Sequence, residues 1–329
     1  MFEKCTSLKT TPSNLLPATT LVEFCYGNMF QDCTSLTSTP ELPATTLAYH
    51  CYSYMFSACN IKKAPELPAT TLASYCYSNM FYKCTSLTTA PVLPATTLTD
   101  YCYHEMFYNC TSLTTAPELP ATILAEYCYG SMFSGCTSLV NAPELSATTL
   151  AQSCYYSMFS GTSIQTAPEL PAIVLLNNCY QYMFSGCTLL TTAPELPATT
   201  LAYGCYMGMF NGCTSLTTTP ELSATQLADS CYYDMFRSCT SLTIAPILPA
   251  TTLISNCYTN MFLDCSSLNY IKAMFTTTPS NTYTKDWVKN VATTGTFVKN
   301  TSAEWTTTGT NAVPTGWTVE TEPSDEITI

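Results

Sequence analysis

Charge is scarce in this chain. Only 10% of its 329 residues are Asp, Glu, Lys or Arg, well below the usual quarter. The ten Lys and Arg are outnumbered by 22 acidic side chains, for a net charge of −12. No cationic surface can form to displace counterions from nucleic acid, and anionic membranes are disfavoured for the same reason. There are two histidines and no C-x-x-C, so the ligand set of a zinc site is missing. No Gly-rich phosphate loop occurs, and neither His50 nor His104 has the makings of a triad. No apolar run reaches the length of a membrane span. These absences exclude catalysis, metal and cofactor chemistry, nucleic-acid partners and membrane insertion as readings of the sequence. No secretory signal opens the chain, and Met1-Phe2 aligns with a Met-Phe repeated throughout. The expectation is a fragment or processed product.

Apolar residues make up 47% of the chain, which argues against disorder. They recur in a fixed phrase. In Leu124–Cys136 the constant residues are Leu124, Ala125, Cys128, Tyr129, Met132, Phe133 and Cys136. Cys-Tyr pairs begin at residues 25, 51, 76, 102, 128, 154, 179, 205, 231 and 257, a period of 26 with two units one residue shorter. A period of this size belongs to the leucine-rich-repeat range. On a helical wheel the constant residues fill one half and the variable ones mostly the other, which predicts a helix in every unit. A short Thr-rich run follows, such as Leu113–Ala116, with strand propensity and a Pro to end it. Thr122 would cap the next helix. A unit this small buries its apolar face only by stacking on its neighbours. The fold expected is therefore an α/β leucine-rich-repeat solenoid of about ten 26-residue units over residues 1–268. Residues 269–329 form a small C-terminal α+β cap. The cap has a helix at Thr284–Val291 and strands at Gly295–Val298, Glu304–Thr306 and Gly316–Val319, with a frayed tail from Glu320 to Ile329.

The phrase M-F-S-G-C-T-S-L followed by A-P-E-L-P resembles the BspA-type leucine-rich repeats of bacterial surface proteins. Phe133, Gly135, Cys136 and Leu139 carry the likeness, as do Phe184, Gly186, Cys187 and Leu190. An extra Cys-Tyr-x-x before Met-Phe departs from the family's shorter unit. The resemblance implies an extracellular or cell-surface protein that binds host or microbial partners; similar repeats on phage tail proteins imply a virion tail as the alternative setting.

Twenty Cys suggest a disulfide framework, but the spacing disfavours one. Two Cys eight apart on a helix are about 12 Å apart, beyond disulfide reach. The sixth unit keeps Cys154 but has lost its second Cys at Gly161-Thr162-Ser163. The expectation is free thiols packed as small apolar residues. A recurring Glu, at 41, 66, 118, 144, 169, 195 and 221, is read as a solvated edge. Asn109-Cys110-Thr111 and Asn300-Thr301-Ser302 fit the glycosylation sequon, a match common by chance.

The variable positions carry Tyr, Ser, Asn, Gly and Asp rather than good helix formers, with Lys or Arg only at Lys83 and Arg237. That composition is paratope-like. Before the Cys of the first five units stand Phe24, His50, Tyr75, Tyr101 and Tyr127; the next five have Ser153, Asn178, Gly204, Ser230 and Asn256 there. Tyr82 and Tyr108 lie seven residues beyond Tyr75 and Tyr101, which on a helix is the same side. These seven aromatics are the candidate ligand-binding residues, joined in one patch. The function expected is non-enzymatic adhesion to a protein or glycan ligand. A structural spacer or receptor-binding segment of a phage tail fibre is the alternative, and packing between copies in a homo-oligomer also accounts for the rings.

Overall fold

The computed structural model describes residues 1–322. The described residues fall into two compact units, the first Met1–Glu169 and the second from Leu170 onward.

In neither unit does the repeated phrase form a helix; the described residues contain one short 3₁₀ turn, Ser13–Leu15, and no α-helix. The predicted α/β class is corrected on this point. The phrase Cys-Tyr-x-x-Met-Phe-x-x-Cys advances by four residues, not 3.6, and the backbone advances with it. The residue before each constant pair is left-handed: Phe24, Asn28 and Asp32 have φ of 58, 57 and 58°. The same holds for Tyr101, Glu105 and Asn109 at 57, 52 and 56°. A right-handed helix has no place for such residues. The segment is a ribbon of consecutive turns.

Hydrogen bonding explains its stability. In the first full repeat Cys25, Gly27, Met29, Gln31 and Cys33 donate to the carbonyl three residues back. Phe24, Tyr26, Asn28, Phe30 and Asp32 donate instead to carbonyls of the next repeat, on Tyr49, Cys51, Ser53, Met55 and Ser57. All ten bonds are 2.9–3.3 Å long. Every N–H from Phe24 to Cys33 is thus used, which burial of the ribbon demands. Half the bonds are local and half tie one repeat to the next.

The constant side chains stack in columns along each unit. In the first unit Phe30, Phe56, Phe81, Phe107 and Phe133 stack nearly parallel at 5.5–5.9 Å, and Tyr52, Tyr77, Tyr103 and Tyr129 do so at 5.8–5.9 Å. Each such ring is at most 1% exposed. The Thr-rich runs pair in parallel as predicted, but only as single bridges such as Lys63↔Thr89, Asn141↔Thr166 and Thr192↔Thr218. The Pro that follows supplies no donor and stops the ladder.

The second unit repeats this plan over Cys179–Cys265 and then changes. Strands β1 (Tyr270–Ala273), β2 (Thr296–Asn300) and β3 (Thr318–Glu322) form a parallel sheet in that order, with Ile271 opposite Phe297 and Phe297 opposite Val319. Two of the three expected strands are found; Glu304–Thr306 belongs to no strand. The helix expected at Thr284–Val291 is another turn ribbon, with Asp286 and Asn290 at φ of 50 and 62°. Trp287 is fully buried 6.1 Å from Phe262, where the next Phe of the column would stand, and its indole N–H donates to the Ala312 carbonyl at 3.0 Å. Of the tail expected to fray, Glu320–Glu322 belong to β3; residues 323–329 lie outside the described residues.

All twenty cysteines are free and eighteen are buried, Cys5 and Cys25 being the exposed pair. The helix argument that predicted this fails, but the outcome stands for another reason. The second thiol of each repeat has a task of its own: Cys59, Cys110 and Cys136 donate to the carbonyls of Phe30, Phe81 and Phe107 in the preceding repeat at 3.0–3.1 Å. In the sixth repeat Thr162 occupies that buried place and its hydroxyl donates to the Phe159 carbonyl at 2.8 Å. The Cys there is replaced, and the missing residue falls in the turn that follows, as it does after Cys59. Burial pushes the Cys51 thiol up to about 11 and those of Cys84, Cys128 and Cys136 up to about 12. Iodoacetamide at neutral pH should therefore modify Cys5 and Cys25 alone, and all twenty once the chain is unfolded without reductant. Mass spectrometry counts the adducts; broad labelling of the native protein, or protection after unfolding, would contradict this packing.

Candidate functional site

The left-handed position that opens each ribbon is half-buried or exposed except at Ser153, Gly204 and Ser230, which are buried, and its side chains align from repeat to repeat. In the first five repeats this brings Phe24, His50, Tyr75, Tyr101 and Tyr127 into one ladder. Successive ring centroids are 5.2, 4.5, 4.5 and 4.9 Å apart and their planes lie within 16° of parallel. Tyr82 and Tyr108 form a separate stack at 4.9 Å, with Tyr54 tilted against Tyr82 at 6.4 Å. No ring contact joins the two groups among the described residues. The single patch expected becomes two ladders, because seven residues are nearly two turns of a helix but not a whole number of steps in a four-residue ribbon.

Tyr49 is part of the first ladder and the sequence reading missed it. It stands edge-on to Phe24, His50 and Tyr75 at 5.5, 4.4 and 5.6 Å. Its place beside His50 was the available signal. Lys83 holds its Nζ 5.1 Å above the Tyr82 ring.

Desolvation favours the neutral forms of three members of the first ladder. Desolvation lowers the His50 imidazole below its ordinary range. Desolvation, followed by the negative field of neighbours including Asp100 and Glu126, raises Tyr75; the same causes with the Tyr75 ring push Tyr101 up to about 12. The exposed surface is therefore one of ring edges and protonated hydroxyls.

Backbone strain marks the same residues. Their φ values are 58, 53, 59, 57 and 49°. For a bulky side chain this region is a genuine outlier, costing roughly 1–2 kcal/mol. Asn, Gly and Ser tolerate it better, and those are the residues at this position in the next five repeats, at φ of 52–57°. Ring stacking offsets part of the cost, by about 0.5–1.5 kcal/mol per pair. This also changes the meaning of the variable positions. More than half of their Asn, Asp, Gly and Ser content answers a demand of the backbone, not of a ligand; the aromatics are what the backbone does not explain.

At the head of the ladder lies a pocket of about 300 Å³ lined by Phe24, Gly27, Asn28, His50, Ser53 and Tyr54. Two larger grooves, of about 610 and 480 Å³, run between Pro-rich corners of adjacent repeats, the first beside Lys62 and Lys63. The recurring Glu residues are all exposed. No cluster of three His, Cys, Asp or Glu able to hold a metal occurs among the described residues, and no helix there is long and apolar enough to cross a membrane. Of the two sequons, Asn300 is buried and its Oδ1 accepts the Ser302 N–H at 2.8 Å.

The family model described as a BspA type leucine rich repeat region matches in six copies, over residues 1–129, 103–200 and 196–294. Among solved structures, a leucine-rich repeat protein from Bacteroides ovatus is similar at 18% identity and a TM-score of 0.44, covering 82% of this chain and 74% of its own. No curated protein matches the sequence.

Proposed function

This chain belongs to the BspA-type leucine-rich-repeat family, and on that premise we propose that it is a non-enzymatic binding protein of the cell surface or secreted space. It presents its aromatic ladder to a protein or glycan partner. The observation that carries this reading is the strain at Phe24, His50, Tyr75, Tyr101 and Tyr127. A repeat that only had to stack would place Ser, Asn or Gly there, as the later repeats do. Backbone strain held in place by surrounding structure tends to mark functional sites. Tyr offers contact area at low entropy cost, and its neutral hydroxyls both donate and accept. The net charge of −12 argues for a partner other than nucleic acid. We read the segment from residue 269 onward as the cap of the repeats at 1–268, a role supported by the burial of Trp287 against Tyr258 and Phe262 of the last repeat and by the stacking of Trp305 on Phe275.

A structural spacer is the second reading, favoured by one fact: the rings of the ladder stack on each other and so tie repeats together. Replacing Tyr75, Tyr101 and Tyr127 with Ser separates the two. Ser already stands at this position as Ser153 and Ser230, so the variant should fold within about 2 kcal/mol of the parent as strain relief offsets lost stacking. Adhesion to candidate cells or immobilised glycans should fall at least tenfold. A folded variant that adheres like the parent, while changes in the Thr-rich runs abolish adhesion, would place the binding surface on the other side. A change in molecular mass alone would assign the ladder to contacts between copies.

A further inference from the structure

The geometry points to a second, smaller site in this protein: the pocket at the head of the ladder takes one neutral pyranose ring, the terminal sugar of a glycan. It rests on the binding reading above, shares Phe24 and His50 with the ladder, and adds Gly27, Asn28, Ser53 and Tyr54. The pocket exists because Gly27 lacks a side chain. The equivalent residues of the next repeats are Ser53, Ser78 and His104, and His104 shows what a side chain does there: its ring lies 2.9 Å from where a Cβ on Gly130 would be. Over Ser53 no such ring intrudes, and about 300 Å³ stays open. That is the lower end of ligand pockets, room for one ring and not for a chain of them.

The lining chooses the chemistry. Phe24 and Tyr54 supply apolar ring surface. Asn28, His50, Ser53 and Tyr54 supply groups that both donate and accept. The Ser53 hydroxyl is buried without a hydrogen-bond partner. No Lys, Arg, Asp or Glu lines the pocket. A pyranose matches this set: one flank of C–H groups for the rings, a rim of hydroxyls that donate and accept, and no charge. A sialic or uronic acid would bring a carboxylate with no cation to meet it.

Saturation-transfer NMR and calorimetry on the full chain would test this with the methyl glycosides of glucose, galactose, mannose and N-acetylglucosamine, and methyl glucuronide as the charged control. At least one neutral glycoside should bind in the millimolar range, and the glucuronide should not. Gly27→His should weaken that binding tenfold or more with the melting temperature unchanged, since His104 already occupies the equivalent place. Asn28→Ser is the milder second variant, Ser131 being its counterpart. Failure of all four neutral glycosides to bind, or binding that survives Gly27→His, overturns the proposal. Sugar binding that persists in the Tyr75, Tyr101 and Tyr127 variant supports the pocket as a site that does not need those three rings, whatever becomes of adhesion.

Discussion

Raising the pH from 8 to about 11 should unfold this protein in a steep transition. The eighteen buried thiols are the cause. Burial drives them upward, to about 11 at Cys51 and about 12 at Cys84, Cys128, Cys136, Cys205, Cys257 and Cys265. In the unfolded chain a thiol ionises near pH ~8.5 and a tyrosine near ~10. The folded values are raised, so the unfolded state releases protons first as pH rises. The stability these groups contribute is full below about pH 8.5 and is lost above it, by about 1.4 kcal/mol per pH unit for each thiol. A dozen acting together reach roughly 15 kcal/mol per unit, comparable with the entire stability of an ordinary domain. The buried tyrosines Tyr77, Tyr103, Tyr129, Tyr206, Tyr232 and Tyr258, also held well above their ordinary range by desolvation, steepen the upper end. Circular dichroism and tyrosinate absorbance followed together should change in one step. If tyrosinate rises gradually while the backbone signal persists beyond pH 11, the columns are not as dry as they look.

Gly135→Val should destabilise the first unit by roughly 3 kcal/mol or more, whereas Ser134→Val beside it should cost within about 0.5 kcal/mol. Gly135 has φ of 74°, and a Cβ there would run into the Asn109 amide, which must swing aside. A β-branched residue meets both the backbone strain and the collision. Ser134 is half-buried and is not among the residues of positive φ, so neither applies. On a helix the two changes would differ far less. Chemical denaturation of both variants decides between ribbon and helix; equal losses would refute the ribbon.

Repetition, its length and the family likeness were all legible in the residues, because a 26-residue period survives any error about local conformation. The local conformation was not. A four-residue step and a 3.6-residue turn put Cys128, Met132 and Cys136 on one side either way, and the wheel could not tell them apart. The deciding signal lay in the residues between: Gly, Asn, Asp and Ser recur at every fourth place, at Gly204, Gly208 and Gly212 most plainly, and these are the residues of positive φ. They were read for surface chemistry when they first answered a backbone need. The ladder was half legible for the same reason. Aligning Phe24 to Tyr127 required only the repeat, and the structure brings them together; linking Tyr82 and Tyr108 to them required the helix, and that link is lost. Thr162 shows a further limit: a missing Cys reads as a deletion until burial shows a Thr in its place.

The glycines of the left-handed columns carry one more consequence. Asn109 reaches into the space over Gly135, and Asn178 and Tyr182 into the spaces over Gly204 and Gly208. A large residue in one repeat is matched to a vacancy in its successor. At these three places neighbouring repeats are thus cut to one another, unlike the columns where ring stacks on ring, and a genetic exchange that put a large residue at Gly135, Gly204 or Gly208 would meet an occupied space. Lineages of such a protein should gain and lose these repeats as matched pairs.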